Sequence, residues 1–169
     1  MSDPVFNFKG MNPLGLSDVG SVSGPYFADI DRDGDLDGFI SNGDGNTLFY
    51  RNTGTAKNPI FAAPLVNPFG LKSGAINPKL VDIDNDGDLD LFVTNEANEN
   101  EDIYRNDGNG SFTLLTSGPL LNNAGMTMSG SWADIDNDGD LDVFLANDQS
   151  PNALFLNDGN FSFTKITGD

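Results

Sequence analysis

The chain reads as an all-β protein made of three copies of one four-stranded antiparallel unit, and three observations predict this. A nine-residue acidic phrase occurs three times, Asp29-Ile-Asp-Arg-Asp-Gly-Asp-Leu-Asp37, Asp82-Ile-Asp-Asn-Asp-Gly-Asp-Leu-Asp90 and Asp134-Ile-Asp-Asn-Asp-Gly-Asp-Leu-Asp142, at intervals of 53 and 52 residues. The surroundings repeat with it: Phe27, Leu80 and Trp132 stand two residues before each phrase, and Phe39, Phe92 and Phe144 stand ten after its first Asp. Between these anchors lie short apolar runs cut by Gly, Asn, Asp and Pro clusters, without helical periodicity, which is the pattern of brief strands joined by turns.

Taken in order, strands are predicted at 26–28, 38–41, 48–51 and 60–62 in the first unit. They are predicted at 78–81, 90–94, 102–105 and 111–115 in the second, and at 130–133, 142–146, 152–156 and 161–166 in the third. The third strands end on matching residues, Tyr50-Arg-Asn52, Tyr104-Arg-Asn106 and Phe155-Leu-Asn157, and Phe61, Phe112 and Phe163 anchor the fourth. Four short strands per ~50 residues, repeated, is the sequence form of a β-propeller blade, and one blade alone cannot bury both faces of its sheet. The division expected is an outer strand and linker over 1–19, then blades over 20–64, 65–116 and 117–169, together one propeller unit. Residues 5–9 resemble the fourth strands but lack three strands before them, as if they belonged to a blade missing from the chain.

The formal charge of -18 is localised, because 15 of the 26 acidic residues sit in the three phrases. One divalent ion in each would leave about -12, still repulsive to nucleic acid and anionic membranes. Neither nucleic-acid binding nor membrane insertion is expected; no apolar run approaches the ~20 residues that span a bilayer. The opening Met1-Ser-Asp-Pro lacks the pattern of a signal peptide. Cysteine is absent and says nothing of compartment, whereas the absence of histidine removes the commonest general base and transition-metal ligand.

The phrases themselves describe loops around a hard cation. Carboxylates at alternate positions let the chain curl so that they point at one centre, and Gly34, Gly87 and Gly139 permit the sharp turn. Side-chain ligands are expected at the first, third, fifth and ninth positions: Asp29, Asp31, Asp33 and Asp37; Asp82, Asp84, Asp86 and Asp90; Asp134, Asp136, Asp138 and Asp142. Asp35, Asp88 and Asp140, at the seventh, are expected to contribute backbone carbonyls. An oxygen-only flexible loop favours Ca²⁺ over Mg²⁺ or Zn²⁺, so three calcium ions per chain are expected, bound nearly independently because the loops lie in different blades. An EF-hand is excluded, since its bidentate Glu at position twelve is replaced by Ile40, Val93 and Leu145.

Loops of this kind, followed by Leu-Phe-Val-Thr-Asn and by Tyr-Arg-Asn-Asp-Gly-Asn-Gly-Ser-Phe, resemble FG-GAP/VCBS repeats, the calcium-binding blades of integrin α-subunit propellers and many secreted bacterial proteins. The resemblance spans residues 20 to 169. It implies a propeller with calcium between the first and second strands of each blade, an extracellular or cell-surface location, and a lectin-like or adhesive role toward a glycan or protein. A structural repeat in a larger secreted protein is the alternative. Tyr26 and Trp132 could stack on sugars, but their places on first strands read as core packing. No nucleophile motif is present, so no enzymatic activity is expected. Such propellers usually have about seven blades, within a general range of four to eight, and three are present here. A homodimer of six blades is therefore expected, with residues 5–9 crossing to the partner's third blade.

Overall fold

The computed structural model describes residues 13–16, 24–72, 75–95, 100–122 and 125–167; the strand expected at 5–9 lies outside them. Twelve strands run in order: β1 (Gly24–Ala28), β2 (Asp37–Ser41), β3 (Thr47–Tyr50), β4 (Leu65–Val66), β5 (Ala75–Val81), β6 (Asp90–Asn95), β7 (Asp102–Asn106), β8 (Phe112–Leu114), β9 (Met126–Ala133), β10 (Asp142–Asp148), β11 (Ala153–Asn157) and β12 (Phe163–Ile166). They form three sheets, β1-β2-β3-β4, β5-β6-β7-β8 and β9-β10-β11-β12, each an antiparallel meander. Among the described residues the only helical pieces are three-residue 3-10 turns, and none is long and apolar enough to cross a membrane.

Among the described residues two apolar clusters fill the spaces between blades. Side chains alternate along a strand, so the middle strand of the second blade serves both. Leu91 and Val93 pack with Phe39, Phe49 and Ala28 of the first blade. Phe92, between them, packs with Val143, Leu145 and Phe155 of the third. Its ring meets Trp132 edge-on at 5.1 Å, and Trp132 in turn meets Phe163 at 6.2 Å. Gly130 makes this approach possible, because a Cβ there would stand 2.7 Å from Cε1 of Phe92.

The first blade departs from the expected strands. Residues 60–62 are not a strand: Phe61 makes an isolated bridge to Asn52, and the paired fourth strand is Leu65–Val66. Phe61 keeps the register of Phe112 and Phe163, which pair with Asn106 and Asn157. From Phe61 to Leu65 the outer strand takes four steps, against three from Asn52 back to Phe49, its partner. One residue is therefore extra, as in a bulge, and Pro64, which has no N–H for the ladder, lies within it. Because Leu65 and Val66 pair with β3, the first blade reaches Val66, and the expected boundary between 64 and 65 is corrected accordingly.

Removing the shared aromatic should be costly. Phe92→Ala is expected to lower the unfolding free energy by about 3–5 kcal/mol through lost burial and an unfilled cavity, read as a shifted midpoint in chemical denaturation.

Candidate metal centres

Each acidic phrase becomes the loop between the first and second strands of its blade, and all three loops curl in the same way. The fourth residue adopts left-handed backbone, at φ 59° for Arg32, 59° for Asn85 and 64° for Asn137, and so does the glycine at the sixth. Asn tolerates this conformation better than most residues, and glycine adopts it without strain. The amide of the sixth residue donates back to the first carboxylate: Gly34 to Asp29 at 3.0 Å, Gly87 to Asp82 at 3.1 Å and Gly139 to Asp134 at 3.2 Å. The seventh amide donates to the fifth carboxylate in every loop, at 3.0, 2.8 and 2.9 Å.

This curl gathers carboxylate oxygens within 4.8 Å of one another in three places: Asp29, Asp31 and Asp33; Asp82, Asp84 and Asp86; Asp134, Asp136 and Asp142. Asp138 falls outside the third group, and Asp37 and Asp90 fall outside the first two. Oδ1 of Asp31, Oδ1 of Asp82 and Oδ2 of Asp37 are buried without a hydrogen-bond donor, a state that a bound cation would relieve and that is otherwise unfavourable. The residues thus fit a calcium ion. In the first loop a cation already stands beside them, since the guanidinium of Arg51 holds Asp31 in an ion pair.

The ninth carboxylate has a second task that its spacing did not reveal. Asp90 accepts from the amides of Ile83 (3.0 Å) and Asn106 (2.8 Å), and Asp142 from those of Ile135 (2.7 Å) and Asn157 (2.8 Å). Asp37 accepts from Asn52 at 2.6 Å. The loop is thereby pinned to the end of the third strand. Burial pushes the Asp37 carboxyl up to about 6 and that of Asp90 up to about 7, against the lowering effect of these donors. The Asn that ends each third strand also ties blades together. The side-chain amide of Asn106 donates to the Ile30 carbonyl of the preceding loop at 3.0 Å, and that of Asn157 to the Ile83 carbonyl at 2.8 Å. The in-register recurrence of Asn52, Asn106 and Asn157 was visible in the sequence, but the reason for it was not.

Neighbouring loops also touch directly. Arg32 donates to the Asp86 carbonyl at 2.9 Å and pairs with Oδ1 of Asp88 at 2.6 Å. Asn85 donates to the Gly139 carbonyl at 3.1 Å and to Oδ1 of Asp140 at 2.6 Å. The seventh side chain therefore accepts from the previous blade, and the three loops form a bonded series.

The FG-GAP-like repeat family matches residues 29–93, 82–145 and 134–169. The chain belongs to that family. Each match starts at the first Asp of a loop, and the first two continue into the second strand of the following blade, so the unit they describe includes the contact between blades just described. No curated protein matches the chain. Among solved structures it is similar to a lectin of Agrocybe aegerita, described with the structural basis of its specific recognition of non-reducing terminal N-acetylglucosamine. That similarity has 19% identity and a TM-score of 0.53 over 84% of this chain, and supports the β-propeller fold. The chain corresponds to 36% of the lectin's length.

The raised carboxyls predict opposite pH trends with and without calcium. Asp37 and Asp90 bind protons more tightly when folded than at their ordinary value of 3.8. Metal-free protein should therefore gain stability from these groups as pH falls from about 7 to 4. Protons compete with a metal for the gathered loop carboxylates, so in excess calcium the melting temperature should fall over that window. Thermal scans in chelator and in calcium check the crossing.

Proposed function

We propose that the chain is a calcium-binding β-propeller module of a secreted or cell-surface protein, and that it acts by binding a glycan or a protein, not by catalysis. The observation that carries this reading is the convergence of carboxylate oxygens in three loops of one repeated geometry, with Oδ1 of Asp31 and Oδ1 of Asp82 buried and without a donor. The donors are oxygen alone, the preference of a hard cation, and the loops are open enough for calcium's irregular coordination. Asp29, Asp31 and Asp33, then Asp82, Asp84 and Asp86, then Asp134, Asp136 and Asp142 would hold the ions, and Asp37 and Asp90 would anchor their loops to the sheet. Bound calcium neutralises the mutual repulsion of the carboxylates.

The binding role draws on the lectin's fold and on a cleft far from the loops along the sequence. A cavity of about 200 Å³ is lined by Lys72, Glu101, Asp102, Leu115 and Leu121 among others. It is smaller than the roughly 300–1,000 Å³ of most ligand sites, a size suited to one sugar ring or one side chain. Lys72 pairs with Asp102 at 3.1 Å across it. The buried Glu101, pushed up to about 7 chiefly by burial, is committed to the amide of Asn95 and the hydroxyl of Thr127, a structural engagement. Trp132 and Tyr26 belong to the interblade clusters, which leaves neither as a sugar platform.

Excess calcium should raise the melting temperature strongly. For a Kd of ~10⁻⁴ M and ~1 mM free ion, mass action contributes ~1.4 kcal/mol per site and ~4 kcal/mol for three. Calorimetry should count three ions, and Asp86→Ala should remove one while weakening binding at a neighbouring loop through the bonds that join them; an unchanged melting temperature between calcium and chelator contradicts the metal reading.

A glycan array probed in calcium distinguishes the two kinds of ligand: selective retention of sugars, lost in Lys72→Ala, supports a lectin, and a blank array supports a protein ligand.

A further inference from the structure

A second set of polar groups joins the second blade to the third at the end of the sheets away from the acidic loops. Strand β6 runs from its loop to Asn95, and β7 starts back at Asp102, so Asn95 and Glu101 stand together at that far end. Glu101 is 1% exposed, and its Oε2 accepts from the amide of Asn95 at 3.1 Å. Its Oε1 lies 2.5 Å from Oγ1 of Thr127, a fully buried residue of β9, and the same hydroxyl lies 2.8 Å from Oδ1 of Asn147 on β10. The other amide atom of Asn147 fixes its orientation: Nδ2 meets the Pro151 carbonyl at 2.7 Å, and a carbonyl only accepts. Oδ1 is therefore the atom that faces Thr127.

A threonine hydroxyl carries one proton. Here it lies between two oxygens, so with an ionised Glu101 one of the two contacts would be oxygen against oxygen with no hydrogen between them. A proton on Glu101 makes both of them hydrogen bonds, Oε1–H donating to Thr127 and Thr127 donating to Asn147. Among the described residues no cation pairs with Glu101, and burying an unpaired carboxylate is costly enough that such a group takes up a proton instead. Burial pushes the Glu101 carboxyl up to about 7, and the neighbouring charge of Asp102 adds to the rise. We propose that Glu101 is held as the neutral acid and that its proton latches the second blade to the third, the latch weakening when the proton leaves to solvent.

The charged groups around the latch are few. Asp102 follows Glu101 in sequence and is paired with Lys72, from the segment between the first two blades. The third blade presents Thr127 and Asn147, neither of which titrates, and Glu96 and Glu99 lie outside the described residues. Lys72 and Asp102 line the cleft together with Glu101 and cancel in charge, so ionisation of Glu101 would turn a neutral cleft acidic. The latch rests on this hydrogen-bond geometry and is independent of calcium.

An opened junction returns the carboxyl toward its ordinary 4.5. The opening equilibrium should therefore rise about tenfold for each pH unit between about 4.5 and about 7, and stay level above. Carboxyl-carbon NMR of the labelled chain should find Glu101 protonated at pH 6. Hydrogen exchange at the amides of Asn95 and Thr127, corrected for the intrinsic rate, should follow the predicted rise. Glu101→Gln supplies an amide that donates to Thr127 and accepts from Asn95 at every pH, and should flatten that rise and exceed wild-type protection at pH 8. Asp37 and Asp90 are untouched by this substitution, so the difference between the two proteins isolates Glu101. Thr127→Val should lose protection at pH 5, and Thr127→Ser should keep it. A Glu101 carboxyl found ionised at pH 6 overturns the proposal, as does a pH dependence that Glu101→Gln leaves unchanged.

Discussion

A four-stranded sheet of such short strands has two faces, and at both junctions among the described residues what covers them is another sheet. With no helix longer than a 3-10 turn among the described residues to lay on the blades, apolar residues on the middle strands are buried chiefly against neighbouring blades. The second blade meets this condition on both sides. Leu91, Phe92 and Val93 are successive residues, none with measurable exposure, and they feed two separate cores. The third blade meets it on one side only, and the exposed Phe144 follows from that; on the first blade Ile40 and Tyr50 are buried on the side away from the second blade, while Phe27 stays exposed.

The same constraint shapes the acidic loops. Read as a ligand set, the phrase accounts for carboxylates at alternate positions and for a glycine at the sixth. It does not account for the left-handed fourth residue or for a seventh Asp whose side chain turns away from the centre. Both are explained by the junction: the fourth side chain of one loop reaches the seventh carboxylate of the next, while an Asn from the next blade reaches back to the second carbonyl. A cation bound in one loop, as proposed, would also order the groups that bind its neighbour and so link metal affinity to blade stacking. Arg32 and Asn85 perform this bridging with different chemistry, an ion pair in one junction and an amide hydrogen bond in the other. The junctions need not be equally strong, since ion pairs are weakened by salt and neutral hydrogen bonds much less so.

Variation among the units falls where this linkage is weakest. The first blade carries three more residues between Asn52 and Phe61 than the others carry between Asn106 and Phe112 or Asn157 and Phe163. The extra length is absorbed by a turn in which Thr55 and Asn58 exchange backbone hydrogen bonds. Asn52 holds that turn's base, its side-chain oxygen accepting from Gly54 and Ile60 at 3.0 Å each. The register at Phe61 survives, and the irregularity is passed on to the outer strand, where few contacts depend on it.

Most of the fold was legible in the sequence because its signals are local and repeated. A strand's alternation, a turn's Gly and Asn, and a loop's carboxylate spacing are each written within ten residues, and three copies in register separate them from coincidence. The outer strand of the first blade was misplaced because Phe61 bears the right residue in the right register, yet the ladder beyond it is displaced by a bulge that local pattern cannot show. By itself the sequence determined the all-β blades and the acidic loops that join their first two strands, since these depend on the reach of neighbouring residues. Only the tertiary structure decided which carboxylates face a shared centre and which reach across to another blade. The contacts across blades join residues more than fifty positions apart, and stacking one sheet on the next is what brings them within hydrogen-bonding distance.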